Sequence, residues 1–319
     1  MLSCPGCGAL VHADELKRLA AAAQQAAPSE ALALWRQAMA LLPANSAQST
    51  IIAGKIETLS HEVETSPKPA AGGGKWKGVV TSGGVFLLLL AKFKTVIFLV
   101  LGQGKLLLLG LTKMGTLLSM FASFGLYWNL YGWKFAGGLI LSIYVHEMGH
   151  VFALRQLGLA ASAPMFIPGL GALIRLQAQY LTPREDARIG LAGPIWGLGA
   201  AILAALLGLA LDSPACLVVA HWGAWINLFN LTPVWSLDGA RGFHALQRRE
   251  RFFAAGVFAA AWLPISPGIA LLAGGAGYYG ATRPNEPEST DRRAFYEYLT
   301  LCAAFSALSW LTFSWHAPN

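Results

Sequence analysis

The chain has 319 residues, enough for one large domain or two small ones. Hydrophobic residues make up 55% of it and charged residues 12%, with 35 Gly, 11 Trp and a mean hydropathy of +0.51; soluble globular chains carry roughly 25% charge. This composition excludes a soluble cytosolic enzyme, a disordered tail protein and a disulfide scaffold, and it fits a polytopic membrane protein. Residues 1–75 carry six basic and six acidic side chains, so the net charge of +7 belongs to residues 76–319. Basic cytoplasmic loops produce such a bias. No Lys/Arg-rich groove with interleaved aromatics is present, and nucleic acid is excluded as a partner.

The N-terminus, Met-Leu-Ser-Cys-Pro-Gly-Cys, lacks the apolar core and cleavage pattern of a signal peptide, so residues 1–65 are expected to form a cytosolic helical domain. Cys4-Pro-Gly-Cys7-Gly resembles one knuckle of a zinc ribbon without its second Cys pair. Cys4 and Cys7 are candidates for a structural zinc completed by His12 or His61, or else a degenerate knuckle. Cys216 and Cys302 lie in apolar runs, where a buried inert thiol is expected. Residues 13–60 read as three helices punctuated at Pro28-Ser29 and Pro43-Ala44-Asn45. Residues 31–43 resemble one helix of a tetratricopeptide repeat. Such arrays need about three repeats to bury a core, so a helical hairpin packed on something else is expected. Residues 66–78, rich in Pro and Gly, predict an extended linker.

Residues 79–319 are expected to form the membrane domain. Candidate spans are 79–101, 105–128, 135–157, 189–211, 217–235, 252–280 and 294–315. Lys92, Lys94, Lys105 and Lys113 interrupt the first two, so one of these is read as re-entrant or interfacial. Pro264 and Pro267 split the sixth. The resulting expectation is an all-α fold of about six transmembrane helices. Arg155, Arg175, Arg184 and Arg188 mark one loop, and Arg241, Arg248, Arg249 and Arg251 mark another, whereas 212–221 has no Lys or Arg. The first two loops are therefore assigned to the cytosol, with Arg248, Arg249 and Arg251 facing lipid headgroups. His221 reads as an interfacial or packing residue. Tyr127-Trp128, Tyr131-Gly-Trp133 and Tyr278-Tyr279 read as membrane-interface belts.

Ionised side chains within a membrane are costly and mark functional sites. Across the apolar spans of residues 135–240 two carboxylates stand out, Glu147 and Asp238. Glu147 lies in His146-Glu-Met-Gly-His150. On a helix, His146 and His150 share one face about 6 Å apart along the axis. That spacing suits two nitrogens converging on Zn²⁺, with Glu147 left to handle a water proton. Gly149 leaves room for another helix or a substrate. A third ligand is required, and Asp238 in Asn230-Leu-Thr-Pro-Val-Trp-Ser-Leu-Asp238-Gly239 supplies it: Pro233 ends a helix and Gly239 allows a tight turn back toward the bundle. The alternative is a solvated Asp238 capping the basic loop that follows.

His-Glu-x-x-His followed by Asn-x-x-Pro-x-x-x-x-Asp-Gly resembles the site-2 protease family of intramembrane zinc metalloproteases. The resemblance covers about residues 135–245 and extends to 164–176, Pro183–Arg188 and Ala192-Gly193-Pro194. Gly197 departs from the Asn that many members carry there, a change expected to alter helix packing without touching the metal. The resemblance implies that His146, His150 and Asp238 hold Zn²⁺ and that Glu147 acts as general base. Asn230 is assigned by it to substrate handling, while a plain helix–helix hydrogen bond fits the residue equally well. Residues 166–168 and 172–176 flank Gly169-Leu-Gly171 like a short membrane-associated β-hairpin. Its edge, at Gly169, Gly171, Ala172, Leu173 and Ile174, is read as a place for an extended substrate to pair; an ordinary loop is the other reading.

The activity so implied is hydrolysis of a peptide bond in or near a transmembrane segment of a membrane-protein substrate. The protein sits in the lipid bilayer with its site toward the cytosol, and the N-terminal helical domain is free to take a protein partner. The rivals are a non-catalytic membrane scaffold of the same fold, a metal transporter, and a membrane metalloprotease of another family. Glu147 argues against the first, the gathering of ligands on one side against the second, and Asp238-Gly239 against the third.

Overall fold

The computed structural model describes residues 10–43, 46–65, 114–159, 165–167, 171–173, 181–284 and 286–314. Two compact units divide the chain: residues 1–108 with 178–180, and residues 109–177 with 181–319. The first unit contains α1 (Ala13–Gln25), α2 (Pro28–Ala40) and α3 (Ala47–Thr65). Pro28 opens α2, where its fixed φ is already helical and its missing N–H costs nothing. α2 packs on both α1 and α3. Leu19 and Ala23 of α1, Leu32 and Trp35 of α2 and Ile56 of α3 share one core, so three helices bury what a hairpin alone would leave open. The Lys55 ammonium lies 4.3 Å from the centre of the Trp35 ring, a cation–π contact.

The second unit runs α4 (Met114–Tyr131), α5 (Trp133–Gln156), β1 (Met165–Ile167), β2 (Gly171–Leu173), α6 (Pro183–Ala210), α7 (Pro214–Asn230), α8 (Asp238–His244), α9 (Arg248–Trp262), α10 (Pro267–Ala281) and α11 (Arg292–Ser314). α6 packs along both α5 and α7, and α5 also touches α7. The α5–α6 approach is close because Gly149 faces the Ala192 carbonyl, where a Cβ would collide. α6 starts on a capping box: the Thr182 hydroxyl accepts from the Glu185 N–H at 3.2 Å, and the Glu185 carboxylate accepts from the Thr182 N–H at 3.0 Å. Leu191, Leu228, Phe243, Phe258, Trp262 and Phe305 belong to a core assembled from α6 to α11. The buried Tyr298 hydroxyl donates to the Leu231 carbonyl at 2.7 Å, satisfying a carbonyl that the end of α7 leaves free.

Two helices among the described residues, α5 and α6, are long and apolar enough to cross a membrane. The expected fold of about six transmembrane helices with a membrane-associated β-hairpin is corrected accordingly. α7 has 17 residues, about 26 Å of helix. The expected span 252–280 is broken at 263–266 into α9 and α10 of 15 residues each, about 22 Å apiece against a hydrocarbon core of about 30 Å. α11 begins Arg292-Arg293 and carries Ser306, Ser309 and Thr312, which lower its hydropathy. The candidate span 79–101, residues 105–113 of the next one and the linker 66–78 lie outside the described residues. β1 and β2 pair antiparallel over three positions only, Met165 with Leu173, Phe166 with Ala172 and Ile167 with Gly171. A ribbon this short is not stable alone; β1 lies against α4 and β2 against α5.

Arg251 also departs from expectation. It is 1% exposed rather than facing headgroups, and its guanidinium donates to the Phe243 carbonyl at 2.9 Å and the Arg283 carbonyl at 3.1 Å.

Candidate metal centre

α5 presents His146, Glu147 and His150 on the side covered by α6 and α7, and all three are buried. Asp238 arrives from α8. After α7 ends, the chain turns through residues 231–237, with Trp235 at φ 53°, a left-handed conformation that costs a non-glycine residue energy. The Asp238 carboxylate then meets both imidazoles: Oδ2 stands 3.2 Å from His146 Nε2 and Oδ1 stands 3.3 Å from His150 Nε2. The two Nε2 atoms are 3.1 Å apart.

The opposite ring nitrogens decide what this triangle is. His150 Nδ1 is 2.7 Å from the Ile189 carbonyl, which only accepts, so this nitrogen carries a proton. His146 Nδ1 is 2.7 Å from Asn227 Oδ1. The Asn227 amide is oriented by its own NH₂, which donates to the Gly223 carbonyl at 2.8 Å, so Oδ1 faces the imidazole and again Nδ1 donates. In their neutral forms both histidines therefore turn Nε2 lone pairs toward each other and toward a carboxylate. Two imidazole nitrogens 3.1 Å apart, each within 3.3 Å of a different oxygen of one buried carboxylate, repel and are repelled by it unless a cation lies among them. The donor set suits zinc: ligands about 2.0–2.1 Å from a tetrahedral Zn²⁺ lie about 3.3 Å apart, and two imidazoles with one carboxylate leave a position open.

Space for an ion comes from Gly193 of α6. A Cβ on that residue would collide with His150 Nε2 and come within 2.8 Å of His146 Nε2. Glu147 Oε1 lies 4.0 Å from His146 Nε2, beside the triangle and outside it. Asn230 Nδ2 lies 3.5 Å from His146 Nε2. Among the described residues His146, His150 and Asp238 are the one group of three with metal-ligand spacing. Gly171, Ala172 and Leu173 form β2, next to α5. Gly169, Ile174, Cys4 and Cys7 lie outside the described residues. His221 packs by its ring nitrogen, 3.0 Å from the Ser309 carbonyl.

Two participants escape the motifs. Asn227 is 3% exposed and one helical turn before Asn230 on α7, so its buried amide in an apolar run was the available signal. Gly197 bears on helix packing: a Cβ there would strike the Asn227 amide. Neither a curated protein nor a solved structure matches the chain. Residues 134–215, which include His146, Glu147 and His150 and stop short of Asp238, match the model of Peptidase family M50, the site-2 protease family that the motifs resemble.

Proposed function

We propose that the protein is a zinc metalloendopeptidase that hydrolyses a peptide bond in or near a membrane segment of another protein. The observation that carries this reading is the triangle of His146 Nε2, His150 Nε2 and Asp238 with both Nδ1 atoms already committed as donors. Peptidase family M50 is a metallopeptidase family, which supports a peptidase with zinc as its metal. A zinc ion held by His146, His150 and Asp238 supplies Lewis acidity to a carbonyl and to water. Glu147, buried and next in sequence to His146, accepts the proton from the attacking water and returns it to the leaving amine. Asn230, 3.5 Å from His146 Nε2, offers its NH₂ to the substrate backbone or the developing oxyanion. Gly171, Ala172 and Leu173, beside α5, offer backbone groups to an extended substrate.

A membrane location agrees with α5 and α6 as spans and with Leu271 and Leu272 of α10, 81% and 75% exposed. The Arg-rich stretches after α5 and after α8 favour a site facing the cytosol. The N-terminal unit is left to engage a protein partner. A retained Glu147 favours catalysis over a scaffold role, because holding a metal does not require it.

The test is Glu147→Gln. It leaves the three ligands intact and removes the base, so the variant should bind zinc as the wild type does while membrane peptides that the wild type consumes accumulate. Cleavage at the wild-type rate by this variant would refute the assignment.

A further inference from the structure

We infer that Asn227 is a positioning residue for the metal centre, fixing the tautomer and rotation of His146. The inference rests on the zinc reading above. The two imidazoles are steadied differently: His150 leans on a backbone carbonyl, that of Ile189, whereas His146 depends on a side chain. The Asn227 amide cannot turn over, because its NH₂ is spent on the Gly223 carbonyl one turn earlier in α7. With Oδ1 thus held 2.7 Å from His146 Nδ1, that nitrogen keeps its proton and Nε2 keeps a lone pair aimed at Asp238 and His150. At 3% exposure, Asn227 has little water to replace it as acceptor.

Position 197 is part of the device. The Asn227 amide occupies the place a Cβ on residue 197 would take, so glycine at 197 and asparagine at 227 form one unit across α6 and α7. Removing the acceptor frees the ring to protonate Nε2 instead, which withdraws a donor from the metal. Losses of this kind lower metal affinity about 10–100-fold.

The experiment is a zinc competition titration of the full chain in detergent, with Co²⁺ absorption as a second readout of tetrahedral geometry. Asn227→Leu should bind zinc about 10–100-fold more weakly. Asn227→Asp keeps an acceptor for Nδ1 but loses the NH₂ that anchors it on the Gly223 carbonyl, so it should bind zinc more weakly than wild type and more tightly than Asn227→Leu, a partial rescue that a packing role alone would not give. Gly197→Ala, which leaves every donor to the metal and the amide itself in the chain, should weaken binding by displacing that amide, and it decides the matter if Asn227→Leu does not fold. Binding by Asn227→Leu within about twofold of wild type, or an Asn227→Asp variant as weak as Asn227→Leu, would overturn the inference. A wild type without zinc, or undiminished binding by His146→Ala, would refute the zinc reading itself and this inference with it. Zinc lost in His146→Ala but kept in Asn227→Leu would refute only the role of Asn227.

Discussion

Asp186 in the first turn of α6 binds Arg241 in α8, with Oδ1 at 2.7 Å from the guanidinium nitrogens, and its Oδ2 stands 2.6 Å from His244 Nδ1. Arg241 is one turn after Asp238, so this ion pair ties the helix that carries the third metal donor to the helix that carries Gly193. Each side chain of the pair is 17% exposed. Asp186→Ala should cost about 1–3 kcal/mol of stability, the range for a part-buried charged hydrogen bond, and weaken zinc binding several-fold. Unfolding in detergent and a zinc titration check both; zinc affinity unchanged with stability lowered would show that α8 is held by its other contacts.

Gly193→Ala places a carbon against both Nε2 atoms. The helix tolerates alanine better than glycine by about 1 kcal/mol, so the fold should persist while zinc occupancy drops by more than about tenfold. Metal analysis of the purified variant reads this directly, and full occupancy would mean that α6 shifts to make room.

Chelation should lower the unfolding midpoint of the wild type, and added zinc should restore it. A ligand at 100 times its Kd contributes about 2.7 kcal/mol to the folded state. Asp238→Asn removes the anionic donor and should abolish most of this zinc-dependent shift. A shift of wild-type size in Asp238→Asn would place the metal elsewhere.

The capping box at the start of α6 holds two hydrogen bonds between Thr182 and Glu185, each from a backbone N–H to the other residue's side chain. Thr182→Ala should destabilise the unit by about 1 kcal/mol, with a smaller effect on zinc than Asp186→Ala. Loss of zinc equal to that of Asp186→Ala would mean that the whole start of α6, rather than the ion pair, holds α8.

In the N-terminal unit, Trp35 is 6% exposed at the meeting of α1, α2 and α3. Trp35→Ala should cost about 3–5 kcal/mol and unfold those helices, seen as rapid proteolysis of residues 10–65. Because these residues belong to a separate compact unit, zinc binding by the chain should survive, and its loss would couple the two.

The local pattern in the sequence determined the candidate ligands. His146 and His150 are spaced by the helical repeat, Pro233 and Gly239 bracket the turn before Asp238, and Pro28 and Pro43 break the N-terminal helices, all through rules that act over a few residues. Pro264 and Pro267 marked the break between α9 and α10 in the sequence, but span counting by hydropathy could not register that the pieces are too short to cross a membrane, or that Arg251 turns inward to serve the Phe243 carbonyl. Only the tertiary structure decided that Asn227 holds His146, that Gly193 and Gly197 clear the space, and that the Ile189 carbonyl holds His150. Those relationships join residues 39 and 81 positions apart. The contacts depend on how closely α5, α6 and α7 approach, and that distance is set by the packing of whole helices rather than by any short run of residues.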